Sequence, residues 1–183
     1  MLGAAVADGR HHTDPFHLFR PGFDVEAETR RLESSAGGFA FVTSEDLYPD
    51  TLDCLRDLAA NGYRLGVAAN QPVATAAVVR ELGVPLDLVG MSADWGVHKP
   101  DPAFFERVAH ELALPTGAIA YVGDRVDNDV RPAHEAGMTA VFVRRGPWGW
   151  IQAGTEDPPE ADLVVNSLAD LPGALRSLRE RGA

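Results

Sequence analysis

A chain of 183 residues, 45% apolar and 23% charged, is long enough for one domain with a real core and too short for two full ones. Sixteen basic residues against 27 acidic ones leave a formal charge of −11, and no Lys/Arg cluster suited to phosphate backbones or anionic lipid appears, so no nucleic-acid or membrane partner is expected. No apolar run approaches the roughly 18 residues of a membrane span. The opening residues 1–7 lack a basic stretch and are cut off at Asp8, which makes a poor secretory signal, so a cytoplasmic protein is expected. The single cysteine, Cys54, has no internal disulfide partner and sits in a helical pattern, where it reads as a small buried apolar residue.

Along the chain, residues 1–45 carry little strand signal. His11, His12 and His17 lie among Pro15, Pro21, Phe16, Phe19, Phe23 and mixed charges, without the spacing of a metal-ligand set. Residues 24–32 look helical and 33–38 read as a linker. Glu45 and Asp46 are expected as solvated or capping residues. From Asp50 onward, helical and strand-like segments alternate. Leu52, Leu55, Leu58 and Ala59 share one side of a helix ended by Asn61-Gly62. A strand over 64–69 is broken by Asn70, a helix over 72–82 is stopped by Gly83, and 86–90 is strand-like. Residues 101–112 are helical with Pro102 in the first turn, where its missing N–H does no harm. A buried strand over 118–122 ends at Gly123-Asp124, and a short helix over 130–136 is capped by Gly137. Residues 139–143 form a strand. The run from Arg144 and Arg145 through Trp150 is expected as a loop, with Gly146-Pro147 making the turn and Trp148 and Trp150 packing against a neighbouring surface. A loop over 156–160, a strand over 161–165 and a helix over 168–181 follow. Strands separated by single helices imply βαβ units and a mostly parallel sheet covered by helices on both faces, an α/β architecture whose chemistry gathers at the carboxyl ends of the strands.

Two stretches at those ends carry chemistry. In Tyr121-Val122-Gly123-Asp124-Arg125-Val126-Asp127-Asn128-Asp129, Asp124 and Asp129 share one loop, where two carboxylates and waters suit Mg²⁺, a hard ion that takes oxygen ligands. The same residues also fit an acidic surface turn in which Asp129 caps the next helix. In Trp95-Gly96-Val97-His98-Lys99-Pro100-Asp101-Pro102, Pro100 holds Lys99 extended, so that its ammonium can enter the crevice above the sheet and pair with a carboxylate and phosphate oxygens. The alternative is a solvated lysine ahead of a helix. His98, beside Lys99, reads first as an ordinary polar residue, with the crevice mouth as the alternative.

Taken together, Ala68-Ala69-Asn70, Lys99-Pro100-Asp101-Pro102, Gly123-Asp124 with Asn128-Asp129, and Ala136-Gly137-Met138 stand in an order and spacing that resembles the haloacid dehalogenase-like hydrolase superfamily. The resemblance covers residues 48 to the C-terminus. It implies a Rossmann-like three-layer α/β/α core over 46–183 and a partial N-terminal helical cap over 1–45. It also implies Mg²⁺-dependent attack by an aspartate on a small phosphorylated substrate. By this likeness Lys99 is the charge-stabilising lysine, Asp124 a metal ligand, and Asp129 the second acid supporting the metal. Asn70 matches the asparagine after the second-motif Ser/Thr, although Ala69 stands where that hydroxyl belongs. The family's nucleophile, an Asp-x-Asp ending an apolar first strand, has no match. Asp8 follows Val6-Ala7, but Arg10 stands where the second carboxylate should be, and Asp14 has no strand before it. Residues 1–9 are therefore expected as the tail of a helix. The central strand, between those ending at Ala69 and Gly123, is expected to be missing, leaving a chain of marginal stability unless its own N-terminus or a partner copy in a homodimer fills the slot. The rival reading is a catalytically inactive fragment serving as an interaction or regulatory domain.

Overall fold

The computed structural model describes residues 14–33, 43–153 and 157–182. Two short helices come first, α1 (Asp14–Phe19) and α2 (Val25–Glu33). Asp24 Oδ1 accepts from the Ala27 N–H at 2.8 Å and so satisfies a free donor of the α2 first turn. A 3₁₀ turn, Ser44–Asp46, is closed by a reciprocal cap. The Thr43 hydroxyl accepts from Glu45 N–H while the Asp46 carboxylate accepts from Thr43 N–H, so Asp46 is a capping residue as expected.

The α/β part then runs α3 (Thr51–Ala60), β1 (Gly66–Ala69), α4 (Thr75–Arg80), β2 (Leu88–Met91), α5 (Ser92–Trp95), α6 (Pro102–Leu112), β3 (Ala120–Gly123), α7 (Arg131–Glu135), β4 (Thr139–Val143), α8 (Gly146–Ala153), β5 (Leu163–Val165) and α9 (Leu171–Gly182). Helix α5 is an addition to the expected elements, and three further differences bear on the site. The helix after β1 begins only at Thr75, with Pro72 to Ala74 forming a turn that leads into it. The helix after β3 is preceded by a π-helical turn, Val126–Val130, a wider coil that often marks a functional site. The Gly146-Pro147 stretch starts helix α8 instead of a loop. Pro147 occupies the first turn, where no intrahelical N–H is needed, and Gly149 lets the helix press on the end of β4, since a Cβ there would stand 3.0 Å from the Val143 carbonyl oxygen.

Among the described residues all strand pairings are parallel. β1 pairs with β2 in the register Gly66↔Leu88 to Ala69↔Met91, and β3, β4 and β5 form a second sheet in that order. The alternation of side chains along β4 shows that both faces are covered: Ala140 and Phe142 enter one core, with Phe104, Phe105, Val108 and Val130. Val141 and Val143 enter the other, with Leu58, Leu171 and Leu175. Cys54 belongs to the second core, and burial there pushes its thiol up to about 11, as befits a packing residue and not a reactive one. This is the Rossmann-like α/β arrangement of parallel strands between helices that the sequence implies.

One polar cluster ties three distant segments together. Asp50, ahead of α3, accepts from Arg145 Nη1 and Nη2 at 2.7 and 2.5 Å, from the Ser167 hydroxyl at 2.6 Å and from Leu168 N–H at 3.0 Å. The Arg145 guanidinium in turn lies 4.3 Å from the centre of the Tyr48 ring.

Candidate active site

The site is built from three strand-end segments. β1 ends at Ala69, and the next residue, Asn70, grips the Lys99 main chain from both sides. Asn70 Oδ1 accepts from Lys99 N–H at 2.8 Å, and Asn70 Nδ2 donates to Lys99 O at 2.9 Å. The peptide bond from Lys99 to Pro100 is cis, and Asp101 caps α6 by accepting from Ala103 N–H at 2.9 Å. Lys99 is thereby pinned on both sides, by Asn70 and by the start of α6.

From that anchor the Lys99 ammonium reaches Asp129 Oδ1 at 2.6 Å, with the two side chains only 12% and 5% exposed. The ammonium also lies 5.6 and 5.9 Å from the centres of the Tyr121 and Phe104 rings, whose faces favour a cation. Asp129 sits in the π-helical turn, and its Oδ2 accepts from Arg125 N–H at 3.1 Å. It is a buried ion-pair partner and not a surface cap.

Gly123 is what lets Asp129 approach. A Cβ at Gly123 would lie 2.3 Å from Asp129 Cβ and 2.6 Å from its Oδ2. Gly123→Ala is therefore expected to destabilise the fold by about 1–3 kcal/mol through overpacking and to break the Lys99–Asp129 contact. Urea unfolding together with the ¹⁵N resonance of the Lys99 ammonium checks both effects.

Asp124, the residue after Gly123, is largely buried. Burial raises its pKa and the neighbouring Asp129 charge raises it further, while a hydrogen bond from its own main chain and the charges of Lys99 and Arg125 pull partly the other way. Asp124 Oδ2 lies 3.5 Å from where a Cβ on Gly146 would stand, and the Tyr48 hydroxyl lies 3.2 Å from the same point. The segment after β4 is thus packed between Asp124 and Tyr48. The π-helical turn is fixed from α8: Gln152 Oε1 accepts from Val126 N–H at 2.8 Å, Gln152 Nε2 donates to Asp127 at 2.8 Å, and Arg125 lies 4.4 Å from the centre of the Trp148 ring.

Lys99, Asp124 and Asp129 line one cleft, and Asn70 is bonded to the first of them. Asn70 is a positioning residue here, because both ends of its amide are taken up by the Lys99 main chain. His98 and His17 are exposed, Asp14 opens α1, and Asp8, His11 and His12 lie outside the described residues. Sequence reasoning missed Tyr48, Asp50 and Gln152, whose partners are far away along the chain.

Among the described residues no three His, Cys, Asp or Glu side chains stand together as a metal-holding group. The pair Asp124 and Asp129 still fits Mg²⁺, which takes hard oxygen donors and is commonly bound by one or two carboxylates while waters complete its shell. Among the described residues Asp124 is hydrogen-bonded by its own main chain and by no other side chain, which leaves acceptor capacity on its carboxylate for a cation.

Fold and site place the chain among α/β proteins that gather charged side chains at the carboxyl edge of parallel strands. The family is more specific. The model of the haloacid dehalogenase-like hydrolases matches residues 1–137, and the chain belongs to that family. It is 32% identical over 136 residues to a glyceraldehyde 3-phosphate phosphatase of Methanocaldococcus jannaschii, covering 73% of this chain and 58% of that protein. It is 34% identical over 178 residues to the glyceraldehyde 3-phosphate phosphatase of Methanopyrus kandleri, covering 93% and 75%. A crystal structure of a HAD phosphatase from Thermococcus onnurineus superposes with a TM-score of 0.61 at 30% identity, over 70% of this chain and 58% of that one. The chain thus spans somewhat more than half the length of two of these three relatives.

Proposed function

We propose that this chain carries the cation- and phosphate-binding half of a phosphatase-type site, and that its ligand is a small phosphorylated metabolite. The observation that carries this reading is the buried Lys99–Asp129 pair beside Asp124 at the strand ends. An ammonium has three donors, and Asp129 takes one, so Lys99 has donors left for phosphoryl oxygens. Asp124 and Asp129 would hold Mg²⁺, which supplies positive charge against a phosphoryl group when bound. Asn70 keeps the lysine main chain fixed, so its ammonium need not reorganise when an anion arrives. The phosphatase names of the relatives support the substrate class.

Hydrolysis in this reading also needs an attacking carboxylate. Among the described residues, the carboxylates lining the cleft are Asp124 and Asp129, both used in holding charge. That observation favours a second reading, a ligand-binding or regulatory domain without turnover.

Calorimetric titration separates the outcomes. The wild-type chain is expected to bind Mg²⁺, and then orthophosphate in a Mg²⁺-dependent way. Asp124→Asn is expected to weaken Mg²⁺ binding by roughly tenfold or more, about 1.4 kcal/mol. Hydrolysis of para-nitrophenyl phosphate stays at background. Absence of both Mg²⁺ and phosphate binding rejects the proposal. Robust turnover abolished by Asp8→Asn would instead place the attacking carboxylate at Asp8 and reject the no-turnover reading.

A further inference from the structure

Three consecutive residues at the entry of the acidic turn are held from one helix. Trp148 and Gln152 stand four residues apart in α8, on one face of it. The Arg125 guanidinium lies 4.4 Å from the centre of the Trp148 ring, Val126 N–H donates to Gln152 Oε1 at 2.8 Å, and Gln152 Nε2 donates to Asp127 Oδ1 at 2.8 Å. These partners fix which way the amide faces, since an N–H can only donate and an ionised carboxylate can only accept. The first N–H groups of a helical turn find no carbonyl inside it, so Gln152 acts as a cap delivered from 26 residues away. The helix has its own seat: Gly149 presses on the end of β4, where Val143 is buried. From Arg125 the constraint passes to Asp129. Arg125 N–H donates to Asp129 Oδ2 at 3.1 Å, and Arg125 O accepts from Asp129 N–H at 2.9 Å and from Val130 N–H at 3.1 Å. Asp127 holds the other end of the same arginine, accepting from its Nε and Nη2 at 3.2 and 2.7 Å.

We propose that Gln152 is a positioning residue for Asp129, and through it for the Lys99 ammonium that Asp129 holds at 2.6 Å. Gln152 acts on this pair only through the turn. It fixes where the π-helical turn begins, and the turn fixes where Asp129 meets Lys99 and how that pair stands beside Asp124. Side chains that orient a charged ligand from behind commonly change cation affinity by about ten- to a hundredfold when removed. The consequence for Mg²⁺ rests on the phosphatase-type reading; the placing of Asp129 against Lys99 does not. A glutamine that merely fastened α8 to the domain would leave the Lys99–Asp129 pair where it is.

The test is made on the full chain, first without metal. Gln152→Leu removes both hydrogen bonds, and Gln152→Glu keeps an acceptor for Val126 but sets a carboxylate against Asp127. Gln152→Glu combined with Asp127→Asn exchanges donor and acceptor, so the introduced amide donates to the introduced carboxylate and the local charge is unchanged. Both single variants are expected to shift the ¹⁵N resonance of the Lys99 ammonium, and Gln152→Leu to speed amide exchange at Val126 by about tenfold. The double variant is expected to bring the Lys99 resonance back towards its wild-type position. In a second arm, calorimetric Mg²⁺ titration, each single variant is expected to bind about tenfold more weakly and the double variant to recover. A Lys99 resonance that stays in place in both single variants overturns the proposal, whatever the urea stability, and leaves Gln152 a fastener of α8. A double variant no better than Gln152→Glu overturns it too. A wild-type chain that binds no Mg²⁺ rejects the phosphatase-type reading, and the metal-free resonance still decides the positioning.

Discussion

Lys99→Met is expected to lower the unfolding free energy by about 3–5 kcal/mol, more than a typical buried substitution, because it leaves the Asp129 charge buried without its cation. Methionine keeps most of the side-chain length and its contact with the Phe104 and Tyr121 rings, so little of the loss comes from packing. The remaining donors to Asp129, the Arg125 N–H on Oδ2 and the Asn128 amide on Oδ1 at 3.4 Å, moderate the loss without cancelling it. Replacing both partners removes the unpaired charge. Lys99→Met combined with Asp129→Leu is therefore expected to recover most of the stability and none of the phosphate binding. Urea unfolding of the four-member cycle, read beside orthophosphate titration, checks both statements. A Lys99→Met chain that unfolds like the wild type would show that the pair contributes nothing to the fold.

The parts of the fold legible in the sequence are those with strong local punctuation. β4 is readable over its whole length, because Gly137 stops the preceding helix and Thr139 leads into an uninterrupted buried run from Ala140 to Val143. Lys99 and the acidic loop are readable for a similar reason: Pro100 fixes the backbone after the lysine, and Gly123 marks the strand end where Asp129 must pack. What escapes depends on contacts the local pattern does not encode. Gly146, Pro147 and Gly149 have the composition of a turn, yet they start a helix because Pro147 falls in its first turn and Gly149 allows close approach to Val143. Asn70 stands beside the lysine, but its partner is main chain and not an incoming anion. Asp50 and Arg145 are 95 residues apart, and neither belongs to a motif. That β1 and β3 fall in separate sheets among the described residues is not legible from either strand, since each taken alone reads as an ordinary buried strand.

Asp50→Asn is expected to cost about 2–4 kcal/mol at neutral pH, because Arg145 loses its bidentate partner while both side chains are about one-fifth exposed. The pH dependence identifies the source of that loss. The Arg145 hydrogen bonds hold the Asp50 carboxyl well below the usual carboxylate range. Burial opposes them, and the Ser167 hydroxyl adds to them. A carboxyl whose pKa is lowered by folding stabilises the native state fully above its unfolded value of about 3.9, and the contribution is lost as pH falls through the folded value. The difference in unfolding free energy between wild type and Asp50→Asn should therefore stay constant from pH 7 down to about 4 and narrow below it. A difference that persists unchanged to about pH 2 would mean that the introduced amide simply packs badly and that the charge pair is incidental. The variant also bears on the site. Arg145 immediately precedes Gly146, which is packed between Tyr48 and Asp124, so loosening Arg145 frees the segment that confines Asp124. A loss of Mg²⁺ affinity in Asp50→Asn at pH 7, far from either proposed ligand, is the expected mark of that coupling.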